Sequence, residues 1–491
     1  MPQASMLIAN GDVLLPGGPL QKLDVVVTDG RISGLLAPET NRAAMEVVDA
    51  SGLLVMPGVV DVHLHLGHGA DISRPRVKED AASETGAAAA GGVTTMIPYF
   101  FATEPFENGL FDEVRKITEA GARIDFGYHL VISTEEQLAA VPYYLETYGV
   151  SSFKIFMNNR YGEGARLGLP DIDDGFMYRL CETVAQAGGV VCPHPENIEI
   201  ALALRKRLAE ADPEGRGGLE LWNASRPPLV EADAIQRAAL ISRAVGGQLY
   251  IVHTSSAEAL DAAIRMRDGG VDISIETCPH YLTHSFSWNR GSMGKVNPPL
   301  RAPSDCEALW MAVADGRVDT VATDHVHRHR SAKEASIWQA SPGFPGMQTL
   351  LPVMLSEGHH RRGIPLGRIA DLLCANPAKH MGLVRKGSIE IGKDADFALV
   401  DLGAEWQVHG ADGLSDAGYS IYDGWHLKGK VLRTIVRGRT VFANGTLIPE
   451  AVGAGQYVTR KSRFSASKWD VDGGPKSSTE NDVQSAETSS R

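Results

Sequence analysis

Cysteine is scarce in this sequence: Cys181, Cys192, Cys278, Cys306 and Cys374 are scattered over 491 residues. No two of them form a C-x-x-C pair, and an odd number cannot close a complete disulfide framework, so reduced thiols in a cytosol are expected. Also missing is any apolar run near the roughly 18 residues of a membrane span. The segment from Met1 to Met6 has no basic stretch followed by a long apolar one, so no secretory leader is read there and a soluble, cytoplasmic protein is expected. Positive charge is in deficit, with a formal net charge of -13. Affinity for phosphate backbones needs clustered Lys and Arg, which argues against a nucleic-acid partner.

What is present is ordinary globular composition, 43% hydrophobic and 22% charged, over a length that accommodates one large barrel, commonly roughly 250 residues or more, and a smaller domain. Short β-type runs punctuated by turns occur at both ends: Met6 to Ile8, Val13 to Leu15 and Asp24 to Ile32 near the start, Gly387 to Val400 and Lys430 to Gly438 near the finish. Asp29-Gly30 suits a tight hairpin turn. The two ends are expected to build one small β-sandwich domain from 1–56 and 385–460. The stretch 461–491 is rich in Ser, Asp, Glu, Lys and Gly and buries too little apolar surface to offset its ordering entropy, so a flexible tail is expected there. Gln456 to Arg460 are read as able to dock on a neighbour.

Between the ends, over 57–384, eight short apolar runs alternate with Ala-rich or amphipathic stretches: Gly58 to His63, Val93 to Pro98, Asp125 to Leu130, Ser151 to Phe156, Gly189 to His194, Gln248 to His253, Val271 to Glu276 and Val318 to Thr323. Eight β-then-α units are what a closed (β/α)8 barrel of TIM type requires, so an α/β fold with a catalytic barrel is expected. Barrel enzymes place their chemistry at the C-terminal ends of the strands. Five of these runs carry a polar group there. His63 and His65 alternate with Leu64 and so project to one side, where they can converge on one ion; Lys154, His194, His253 and Asp324 belong to four others. A single strand-end histidine is usually a hydrogen-bonded structural residue, so the weight lies in the set. For Lys154 two readings stand: a buried salt bridge, or an amine that has added carbon dioxide to give a bridging carbamate.

The words Gly58-Val59-Val60-Asp61-Val62-His63-Leu64-His65, Gly91-Gly92-Val93-Thr94-Thr95, Phe153-Lys154-Ile155-Phe156-Met157, His194-Pro195-Glu196-Asn197, Val252-His253-Thr254-Ser255-Ser256, Glu276-Thr277-Cys278-Pro279-His280, Thr323-Asp324-His325 and Asn376-Pro377-Ala378 together resemble the dihydropyrimidinase and hydantoinase branch of the metal-dependent amidohydrolase superfamily, from about residue 6 to 460. The resemblance implies two divalent ions, most often zinc, with one held by His63, His65 and Asp324, the other by His194 and His253, and both bridged by N6-carboxylated Lys154. It implies a hydrolase that opens a cyclic amide or imide, such as a hydantoin or dihydropyrimidine ring, through a metal-bridging hydroxide with Asp324 as general base and acid. Allantoinase-like or dihydroorotase-like activity is the alternative; a non-catalytic scaffold is a further one, against which the retained ligand set speaks. Such relatives are commonly homotetramers, so a homo-oligomer, tetramer or dimer, is expected.

Three positions depart from the pattern. Asn159 stands five residues after Lys154, where relatives usually carry a tyrosine that stabilises the oxyanion; Asn159 or Tyr161 is expected to take its place. Pro342 stands near the place of an asparagine that reads the ring amide, and Asn297 where serine is frequent. Asn159, Asn297 and Pro342 are therefore the candidate substrate contacts. His325, His327 and His329, with Arg328 and Arg330, follow Asp324 as a basic cluster, read either as a solvated loop or as a site for an acidic group.

Overall fold

A computed structural model describes residues 6–17, 19–38 and 46–461. Eight parallel staves close into a barrel: Val59–His65, Val93–Phe100, the pair Asp125–Phe126 and His129–Val131, Ser152–Phe156, Val190–His194, Gln248–Ile251, Asp272–Thr277, and the pair Thr320–Val321 and His325–Val326. The eighth stave makes the closure, since Thr320–Val321 pairs with the seventh while His325–Val326 pairs with Leu64 and His65 of the first. These strands are buried on both faces, as a parallel sheet sheathed in helices requires, and their β-branched and aromatic residues suit that environment.

Helices cross over between successive staves, among them Lys78–Ala90, Leu110–Gly121, Asp174–Ala187, Ala257–Asp268 and Pro303–Asp315. Several begin where the sequence signals it: Asp173 accepts from the Phe176 amide, Asn197 from Glu199 and Ile200, and Ser256 from Ala259, each satisfying amides that a helix start leaves open. The architecture is the expected (β/α)8 barrel with a second, smaller β domain.

That second domain is one continuous nine-stranded sheet. Met6–Leu14, Leu20–Thr28, Arg31–Leu36, Glu46–Asp49 and Leu54–Pro57 come from the start of the chain; Phe397–Gln407, His426–Val436, Arg439–Ala443 and Thr446–Leu447 come from its end. The junction is Leu54–Pro57 against Phe397–Val400, antiparallel, and the domain has its own core of Ile8, Val25, Val27, Val55, Phe397 and Ile435. At the joint with the barrel, the Lys386 ammonium lies among Asp125, Asp394 and Asp396 at 2.5, 3.0 and 2.7 Å. These carboxylates converge closely enough to suggest an ion, but the lysine already occupies their centre and supplies the charge.

Gln456 to Arg460 dock on the chain's own barrel. Phe126 donates its amide to the Gln456 carbonyl at 3.0 Å, Val458 donates to the Phe126 carbonyl at 2.8 Å, and the Arg460 guanidinium reaches Ser152 Oγ at 2.5 Å. The tail expected over 461–491 lies, apart from Lys461, outside the described residues. No helix among the described residues is long and apolar enough to cross a membrane.

Candidate metal centre

All six residues proposed as ligands are buried at the C-terminal ends of the barrel strands, and they line one cleft of about 80 Å3. His63 Nε2 lies 3.2 Å and His65 Nε2 3.7 Å from Asp324 Oδ1, and the three ligand atoms fall within 4.8 Å of one another. Facing them, His253 Nε2 and His194 Nδ1 approach to 2.8 Å. The sequence places these groups through two unusual backbone conformations. His253 and Asp324 have φ of 41° and 47°, in a region that non-glycine residues rarely occupy and that costs on the order of 1–3 kcal/mol. At Asp324 the eighth strand breaks, because Thr323 donates from its amide (3.1 Å) and hydroxyl (2.6 Å) to Asp61 of the first strand.

Each histidine pair has a carboxylate behind it. His63 Nδ1 lies 2.5 Å from Glu276 Oε1, which also accepts the His253 amide at 2.8 Å. His194 Nε2 lies 2.7 Å from Glu196, itself 2.7 Å from the Arg226 guanidinium. A carboxylate on one ring nitrogen fixes the tautomer and leaves the lone pair of the other pointing into the cleft, an arrangement typical of metal-bound imidazole. Burial pushes His65 down to about 3 and lowers His194 and His253 as well, so these rings are neutral donors. For His63 burial acts in the same direction, but Glu276 and then Asp324 outweigh it and raise the ring to about 9, so without an ion this ring holds a proton on Nε2 toward Asp324 that a metal bound there would displace. Lys154 Nζ sits 4.4 Å over the Tyr99 ring and 5.3 Å over Phe156, with no carboxylate within 4.0 Å among the described residues. Burial pushes it down to about 8. A set of four imidazoles, a carboxylate and an amine that readily loses its proton fits two divalent ions.

The sequence of this chain is similar over nearly its whole length to proteins named as allantoinases and hydantoinases. It is 37% identical to an allantoinase of Rubrobacter xylanophilus over 91% of this chain and 96% of the relative. The chain belongs to the amidohydrolase family. Residues 252–441 match the model of that family. This amidohydrolase is also 30% identical to an L-hydantoinase of Paenarthrobacter aurescens, over 93% and 98% of the two chains. Its fold superposes on the crystal structure of a dihydropyrimidinase from Brevibacillus agri with a TM-score of 0.83 and 26% identity, covering 93% and 99%. The resemblance to the dihydropyrimidinase and hydantoinase branch therefore holds.

The three candidate substrate contacts separate. Asn297 and Pro342 line the cleft of this amidohydrolase. Asn159 does not: its amide donates to the Phe156 carbonyl and its carbonyl accepts from Ile172 at 2.7 Å, which turns the side chain under Gly164 and leaves neighbouring Asn158 on the cleft wall. Tyr161 points outward, 69% exposed, with its hydroxyl on Glu199. Glu276, Glu196 and Arg226 belong to the site without a role marked by the sequence motifs; for the two acids the local signal is a carboxylate at or just past the end of an otherwise apolar strand, and Arg226 has none.

The basic cluster after Asp324 also separates. His329 reaches toward Asp416 at 3.5 Å, Arg330 pairs with Glu334, His327 is buried, and His325 lies 2.9 Å from the buried Glu84. Burial alone would raise Glu84, but His325, followed by the Asp416 amide and Ser415 hydroxyl, brings it from 4.5 to about 2. A depressed carboxyl contributes stability that is complete above its unfolded value and lost as pH falls through the folded one, here between about 4.5 and 2. That gap corresponds to roughly 3 kcal/mol. Glu84→Gln is expected to lower the thermal midpoint at pH 7 and to flatten its decline between pH 4.5 and 2; parallel curves for variant and parent would refute the linkage.

Proposed function

We propose that this chain is a two-metal cyclic amide hydrolase that opens a hydantoin, dihydropyrimidine or related ring to the ring-opened acid. Its ions, zinc in this reading, would be held by His63, His65 and Asp324 and by His194 and His253, with carboxylated Lys154 between them. The observation that carries the proposal is the convergence of those strand ends on one cleft with Glu276 and Glu196 setting the histidine tautomers. When bound, such ions acidify water and polarise a carbonyl. The chain's own contribution is positional: Asp324, on the cleft wall, takes a proton from the attacking water and returns it to the leaving nitrogen, which is expelled poorly until protonated. Asn297, Pro342 and Gly343 line the cleft, and in this reading they are the wall against which the ring amide would lie.

Allantoin ranks beside hydantoin as a substrate, because the relative at 37% identity is an allantoinase. Removing metal with a chelator and restoring zinc is expected to abolish and then recover turnover in a panel of hydantoin, dihydrouracil, allantoin, dihydroorotate and a simple imide. Elemental analysis should give about two ions per chain. Turnover indifferent to chelation, or no turnover of any ring by the zinc-loaded protein, counts against the proposal. We further read the protein as a homo-oligomer, since Tyr178, Leu229 and Leu240 leave 41–50% of their area exposed on two barrel helices.

A further inference from the structure

Outside the metal cleft, and sharing Ile72, Arg166, Leu167 and Arg328 with it, lies a vestibule of about 590 Å3. Four arginines line it, Arg74, Arg76, Arg166 and Arg328, against two acids, Asp71 and Glu104. Arg76 is neutralised by Asp71 at 3.0 Å. The other three have no carboxylate within 4.0 Å among the described residues. Arg74 and Arg328 are nonetheless buried, at 9% and 8% exposure. Arg328 gives one N–H to the Ala70 carbonyl at 2.5 Å, while its Nε has no partner among the described residues. A buried guanidinium without a counter-charge is costly, and burial together with neighbouring Arg166 pushes Arg328 down to about 10. This concentration of positive charge occurs in a chain whose net charge is -13, so it is not the background of the surface.

We propose that the vestibule holds a carboxylate on the substrate: the ring sits in the inner cleft and a substituent ending in a carboxylate reaches outward between Arg328, Arg166 and Arg74. The proposal rests on the cyclic-amide reading above and narrows it to rings derived from acidic amino acids or otherwise carrying a carboxylate. Arginine forks match a carboxylate in two parallel hydrogen bonds, and such an anion would supply the missing partner of a guanidinium that the fold leaves unpaired. Arg328 and Arg166 border both chambers, so an anion they hold lies beside the mouth of the inner cleft.

The test uses zinc-loaded protein and matched pairs in which a spacer carries the group away from the ring: 5-(2-carboxyethyl)hydantoin against its carboxamide, and 5-(carboxymethyl)hydantoin against its carboxamide. A charged hydrogen bond is worth enough for a preference of about 10 to 100-fold in kcat/KM for the carboxylate member, and this preference should shrink as salt is raised. Arg328→Gln and Arg166→Gln should each cut the ratio by about tenfold; Arg166 is exposed at the rim, so its variant tests the idea without disturbing the core. Calorimetric binding of the ring-opened diacid should be tighter than that of its monoamide by a similar factor, and this preference too should fall in both variants. If the neutral members are turned over as well as the charged ones, the carboxylate inference fails and the cyclic-amide reading stands. If no ring is opened, that reading fails, and the calorimetric comparison alone decides the anion site: equal affinity for diacid and monoamide rejects it.

Discussion

Lys154→Ala is expected to reduce kcat/KM toward a cyclic amide on the order of 10³-fold or more, beyond the roughly 10 to 100-fold that changes behind metal ligands cost. The expectation follows from the environment of the amine. Lys154 lies fully within the barrel, its Nζ over the faces of Tyr99 and Phe156 at 4.4 and 5.3 Å, and burial brings it down to about 8. Carbon dioxide adds only to the unprotonated amine, so a lysine that loses its proton near neutral pH is suited to form a carbamate. A structural salt bridge would behave differently. It would need a carboxylate partner, and none lies within 4.0 Å among the described residues. Lys154→Arg separates the two readings: guanidinium stays charged and cannot be carboxylated, so the variant should be as inactive as Lys154→Ala if the carbamate matters. Partial recovery of Lys154→Ala by a short-chain carboxylate, and a carbon-13 carbamate signal in the parent protein after incubation with labelled bicarbonate, should accompany it. An Arg variant with activity near that of the parent would overturn the assignment.

Much of the frame behind that prediction is legible in the chain itself. Each barrel strand is a short apolar run between helix-forming stretches, and strand alternation puts His63 and His65 on one side without reference to anything distant. The eighth run is where the local rule weakens. It reads as continuous from Val318 to Thr323, whereas the chain breaks its pairing after Val321 and resumes at His325, because Asp61 of the adjoining first strand captures Thr323. A contact between residues 262 positions apart leaves no local trace.

The loops show the same limit. Counting five residues from Lys154 reaches Asn159, yet spacing does not encode how a loop turns, and hydrogen bonds to Phe156 and Ile172 rotate that side chain away from the cleft. His325, His327 and His329 would share one face only if the strand continued; it stops at Val326, and their partners diverge. Glu276 and Glu196 are silent in the sequence for a related reason. An acid at a strand end declares its role only through the imidazole it meets, and His63 is 213 positions from Glu276.

Asp324→Asn is expected to lower kcat by about 10² to 10⁴-fold, the range assigned to a positioned proton shuttle, while binding of the ring-opened product changes little. Asp324 is buried, and its Oδ1 faces both His63 and His65. Burial alone would raise this carboxyl, but His63, with His65 and His280 behind it, holds it well below the usual carboxylate range. It is therefore ionised at working pH, but a carboxylate held this low is a weak base, and its use as a proton acceptor requires His63 and His65 to be engaged by an ion rather than by Asp324. The asparagine variant keeps the shape and one oxygen that can still act as a ligand, yet it cannot take a proton. Loss of the shuttle and loss of the ion thus have different signatures. If Asp324 mainly shuttles protons, Asp324→Asn should retain much of its metal by elemental analysis and bind product normally while turning over slowly. If its main role is to hold an ion with His63 and His65, metal content falls together with kcat, and added zinc should restore both. A variant that keeps more than about a tenth of parental kcat, well outside the range a shuttle supplies, would remove Asp324 from the chemistry and leave it a structural partner of His63.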